Sequence, residues 1–138
     1  MSLTDYSDLE TEIKNAPEPK VLPSGSEVYA RIISCRSGVS EKNDCAWHMP
    51  VFDVPDEPMV IEFNKFMWEL DREKLDPKQF ARALADFQKF AAAIGLDYSR
   101  PFSWEDDLVG KECWVILGIQ KDDEYGDKNT IKRFVVRQ

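Results

Sequence analysis

The 138-residue sequence predicts a mainly β domain with one long helix, of the α+β class. Three observations carry that expectation. Residues 76–95 have the period and the end signals of an amphipathic helix, and no second stretch matches them in length. Five other stretches alternate, or run apolar, between clusters of turn-forming residues. At this length one respectable core can be filled, and two cannot.

The helix is specified at both ends. Asp76 can accept from the first unpaired backbone N–H groups, Pro77 sits where a missing donor costs nothing, and Gln79 completes a capping box. Phe80, Ala83, Leu84, Phe87, Phe90, Ala91 and Ile94 then recur every three or four residues, with Arg82, Asp86 and Lys89 on the wet side. Gly95 can turn left-handed and stop the helix. Three phenylalanines on one side demand a large apolar partner, and a sheet supplies it.

The strands follow in order. Residues 1–20 are acidic and weakly periodic at Tyr6, Leu9 and Ile13 before Pro17 and Pro19, which predicts a flexible or loosely docked arm ahead of a domain over 21–138. After the turn at 23–26, residues 27–36 alternate, with Val28, Ala30, Ile32 and Ser34 on one face. A polar loop, 37–44, leads to a second strand over 45–54, where Pro50 suggests an edge position or a bulge. Residues 59–68 form a long aromatic third strand. Beyond the helix, Ser103 can cap a single turn. Residues 111–121 give a fourth strand whose run from Cys113 to Ile119 reads as buried on both faces, and 130–137 give the last. Three strands, a helix and two strands predict a five-stranded OB-like barrel, order β-β-β-α-β-β. A β-sandwich needs about seven strands.

Composition narrows the function. No apolar run approaches the roughly 20 residues of a membrane span, and the first 20 residues lack the order of a signal peptide. Three cysteines, an odd number, suit a reducing compartment, so a soluble cytoplasmic protein with no membrane partner is expected. The net charge of −8 is uneven: the first 20 residues hold five acidic and two basic groups, whereas residues 111–138 hold five and six. That excludes a generally basic coat protein but not a local basic stripe.

Several motifs point further. They are Gly25-Ser26-Glu27-Val28-Tyr29, the segment 59–66, the helix ending in small residues and then Ile94-Gly95, Leu108-Val109-Gly110-Lys111, and, most specific, Tyr125-Gly126-Asp127-Lys128-Asn129-Thr130-Ile131-Lys132-Arg133-Phe134. Over residues 22–138 the chain resembles a family of small, uncharacterised bacteriophage proteins encoded among replication and recombination genes. That family is related to phage single-stranded DNA-binding proteins of OB type. The resemblance implies DNA binding during replication or recombination, in the host cytoplasm, and carries no list of functional residues.

Single-strand binding needs flat rings for bases and cations for phosphates. If Ile61, Phe63 and Met67 face the core, then Glu62, Asn64, Phe66 and Trp68 face the other way, and Trp47 can stand beside them. Arg31, Lys65, Lys132 and Arg133 are the expected phosphate contacts, with Arg36, Lys42 and Arg137 also in reach of the sheet. The competing expectation packs Phe66 and Trp68 under the 69–75 connector or the helix, and Glu62 counts against phosphate. Cys35, Cys45, His48 and Cys113 lack the paired short spacing of a zinc site. No phosphate-binding glycine loop, nucleophile elbow or second histidine is present. No cofactor, metal or catalysis is expected. The sequence therefore favours a non-catalytic single-stranded DNA-binding protein, possible as a homo-oligomer or beside other replication or recombination proteins. The alternative is a phage protein–protein interaction or assembly module without nucleic acid.

Overall fold

The computed structural model describes residues 2–136; of the expected last strand, Arg137 lies outside them. The chain is β-rich, with six strands in one antiparallel sheet and one long helix. The strands are β1 (Glu27–Val39), β2 (Ala46–Asp53), β3 (Phe63–Asn64), β4 (Met67–Trp68), β5 (Glu112–Gln120) and β6 (Lys128–Val135). A short helix α1 (Glu10–Lys14) precedes them, and α2 (Pro77–Ile94) lies between β4 and β5. The sheet runs β3-β2-β1-β5-β6, with β4 also on β2. Its end strands β3 and β6 come close in space, yet no ladder joins them among the described residues. Closure of a five-stranded barrel is therefore not seen among the described residues; the sheet they form is open, with its ends brought together.

Helix α2 fills the gap left by that opening, touching β4, β5 and β6. Its start is the expected capping box: Gln79 N–H donates to Asp76 Oδ1 at 2.8 Å, and Asp76 N–H donates to Gln79 Oε1 at 3.2 Å. Its end is Gly95 at φ +68°, whose N–H donates to the Ala91 carbonyl. The three phenylalanines divide, contrary to expectation. Phe90 is fully buried in the main core, and Phe87 packs partly against it. Phe80 joins a smaller cluster with Trp68, Cys45, Leu75 and Ala83. Over eighteen residues the apolar stripe outruns the width of one core, so its first turn meets different neighbours.

The predicted third strand is interrupted. Val51 pairs with Asn64 and Trp47 with Trp68, so the register is unbroken across the interruption. The break lies opposite Pro50, which accepts from Lys65 N–H at 3.1 Å but has no N–H to return. Pro50 is therefore not on an edge. It sits mid-strand, paired with Cys35 on its other side, and thins the ladder at Lys65 and Phe66.

Two further expectations are corrected. β1 continues to Val39 because a bulge at Ile33 lets it follow β2 through a second run of pairs. β5 is buried on one face only: Cys113, Val115 and Leu117 point into the core, while Trp114 is 36% exposed against Tyr29, ring centroids 5.3 Å apart. Helix α2 covers the inner face of the sheet. In the arm, residues 2–19 are all exposed, and docking begins where Lys20 bridges Val60.

Asn129 completes the fold. Buried in β6, it accepts from Leu22 N–H at 2.9 Å and donates to the carbonyls of Leu22 and Gly118. Asn129→Ala strands three backbone groups at once, so it is expected to cost about 2–3 kcal/mol in a urea unfolding series, with the slope unchanged.

Candidate nucleic-acid interface

The three predicted aromatics meet. Trp47 and Trp68 are cross-strand partners on β2 and β4, and Phe66 stands beside both. Its ring is 5.7 Å from Trp47 and 4.9 Å, edge-on, from Trp68. Alternation works as expected at Phe63 and Met67, both buried, with Asn64 and Phe66 exposed. Ile61 departs from it: this residue precedes β3 and is exposed. The two competing expectations for Phe66 and Trp68 each hold for one residue. Trp68 packs into the small cluster against α2, whereas Phe66 is 41% exposed and is the ring a ligand can reach.

Gly38 on β1 makes room for this cluster. It pairs with Trp47, and a Cβ built on Gly38 would lie 2.5 Å from Trp47 Cζ2. The indole therefore rests flat on a strand backbone, a place only glycine can provide. Beside it, Phe66, Met67, Trp68, Gln79, Arg82, Ala83 and Asp86 line a groove of about 250 Å³.

The predicted cations divide into two places. Lys65, Lys132 and Arg133 come together with Lys89 in a second, smaller groove along the seam where β6, α2 and the Lys65–Phe66 link approach one another. Arg133 pairs with Ile116 and Ile131 with Leu117, so Lys132 is the extra residue of a bulge. The bulge leaves two consecutive basic side chains exposed, where a regular strand would turn one of them inward. Lys65 Nζ stands 3.9 Å from the Asp86 carboxylate, and among the described residues Lys89, Lys132 and Arg133 form no ion pair. Asp86 lines both grooves, so the aromatic and basic surfaces are continuous.

Arg31 is elsewhere. It donates to Asp53 Oδ2 at 2.8 Å and lines a separate groove with Pro19 and Glu62. Asp53 and Glu112 hold its guanidinium still more firmly charged. Glu62, the expected repulsive neighbour, shares that groove with Arg31 and lies outside the one lined by Phe66. Arg36 and Lys42 are exposed but line neither of the two joined grooves.

The remaining chemistry-bearing residues are held by the fold. His48 is buried, stacked on Trp104 at 4.3 Å and bonded on both sides: Nδ1 to Ser37 Oγ at 2.7 Å and Nε2 to Glu69 Oε1 at 3.3 Å. Cys45 and Cys113 are in different clusters, and among the described residues no three His, Cys, Asp or Glu side chains gather as a metal site. Burial pushes the Cys113 thiol up to about 12. Alternation in β1 already places Tyr29 on the face away from Val28, Ala30 and Ile32, but its partner Trp114 was not legible in the sequence, because an apolar strand buried on one face cannot be told from one buried on both when its exposed residues are also apolar.

No protein-family model matches the chain, and no curated protein matches it. Among the described residues no helix is long and apolar enough to cross a membrane.

Gly38→Ala is expected to displace the Trp47 ring, lowering stability by about 1–3 kcal/mol and changing the near-UV circular dichroism of the tryptophans. A variant with an unaltered spectrum would show that the ring keeps its place without the space Gly38 leaves.

Proposed function

We propose that this protein binds single-stranded DNA without catalysis, as a phage-type OB-like protein of replication or recombination. The observation that carries the proposal is the junction of Phe66, exposed between two tryptophans, with the cations of the seam. Bases stack on Phe66, with Trp47 and Trp68 forming the wall behind it, and Lys65, Lys132 and Arg133 take the phosphates. Arg31 is not part of this surface. The order of strands and helix, with β3 and β6 adjacent where an OB barrel closes, supports the fold half of the proposal. The motif resemblance supports the biological half.

The alternative is an interaction module. Its support is the arm, where Leu3, Tyr6, Leu9 and Ile13 are all exposed and, among the described residues, belong to neither apolar cluster. The charge pattern favours DNA over this reading, because four basic side chains gather at one seam of a chain whose net charge is −8, and a local basic stripe is what a phosphate backbone meets.

Titrating oligo-dT against tryptophan fluorescence at several salt concentrations separates the two. Quenching that weakens as salt rises is expected. Phe66→Ala should lose roughly 5- to 150-fold in affinity, the worth of one stacked base. Lys132→Ala and Arg133→Ala should each lower the salt slope by about 0.7. Arg31→Ala should leave both unchanged. Absence of quenching at every salt concentration, together with dimerisation on a sizing column, would favour the interaction module.

A further inference from the structure

We propose that Asp86 acts as a built-in phosphate mimic, occupying the basic seam until a phosphodiester displaces it, and so sets the affinity and salt dependence of strand binding. The inference rests on the nucleic-acid reading of the same face and names the residue that regulates it.

Among the residues that line the two joined grooves, Asp86 is the only carboxylate, and it lines both. Five cations share those walls: Lys65, Arg82, Lys89, Lys132 and Arg133. Along α2 the spacing of Arg82, Asp86 and Lys89 is four and then three, so the three project from one stripe as cation, anion, cation. In the free protein a carboxylate at this point offsets repulsion among like charges that the fold has crowded together.

The hold is weak. Lys65 Nζ is 3.9 Å from Asp86 Oδ2, beyond hydrogen-bonding distance, and the Asp86 side chain is more than half exposed. A phosphate arriving at the seam carries the same charge with more acceptor atoms and can reach several of the five cations. It exchanges one long ion pair for shorter, charge-assisted bonds. A base stacking on Phe66 makes no such exchange. Asp86 thus acts on the phosphate half of the ligand alone.

The test uses the full chain and fluorescein-labelled oligo-dT, followed by anisotropy over a series of NaCl concentrations. Asp86→Asn is expected to bind several-fold tighter at the lowest salt, with a slope of log affinity against log salt steeper by about 0.7, the signature of one more phosphate contact. Asp106→Asn removes the same charge from a residue lining neither groove and should match the wild type in both quantities. Adding Lys65→Met to Asp86→Asn should return the slope to the wild-type value. Thermal melting checks that each variant folds.

Wild-type binding with Asp86→Asn indistinguishable from it overturns this proposal and leaves the nucleic-acid reading intact. So does tighter binding with an unchanged slope, or an equal gain in Asp106→Asn. Binding by Asp86→Asn where the wild type binds nothing supports Asp86 as the gate. Absence of binding by both overturns this proposal and the reading beneath it.

Discussion

The structure depends on a sheet that curls without closing. Its two end strands come close but share no ladder among the described residues, so the inner face is sealed there by side chains rather than by backbone pairing. Phe90 does most of this work. It is fully buried, edge-on to Phe134 of β6 at 5.4 Å and nearly parallel to Trp104 at 6.1 Å. One ring thereby joins α2, the last strand and the turn before β5. Because α2 occupies the opening, its outer stripe and the two neighbouring strands form a seam, and the cations collect along that seam. The position of the candidate site is a by-product of how the sheet is shut.

Local signals were legible where chemistry is local. Asp76, Pro77, Gln79 and Gly95 bounded α2 to the residue, since caps involve groups only a few positions apart. Alternation placed Phe63 and Met67 inward and Phe66 outward for the same reason. What failed depended on neighbours distant in sequence. Arg31 read as one basic residue among several until β2 brought Asp53 opposite it. Trp68 could be read as exposed or as packed under the connector or the helix until the fold set it against the Cys45, Leu75 and Ala83 cluster. Pro50 read as an edge signal, yet its strand is internal; the proline thins one ladder and leaves the other whole. The bulge that exposes Lys132 and Arg133 together leaves no mark in the sequence at all.

The candidate interface shows how departures from regular structure serve a surface. Gly38 removes a side chain so that Trp47 can lie flat, Pro50 frees the link that carries Lys65 and Phe66, and the bulge in β6 sets two cations side by side. Each would count as a defect in an isolated sheet. Together they surround one groove junction. The Tyr29–Trp114 pair, where β1 meets β5, has none of these devices: its strands pair regularly, and the Glu112 side chain pushes the Tyr29 phenol up.

The bond between Leu22 and Asn129 has a consequence for how the chain assembles. It spans 107 residues, so the Leu22 backbone is satisfied only once β6 is in place, although Lys20 is held at Met59 and Ile61 without it. Closing so long a loop is an entropic cost met early and rewarded late, which makes for slow folding. β1 can pair with β2 as soon as both have emerged, and the amide of one asparagine marks the later moment at which the segment before β1 is joined to β6.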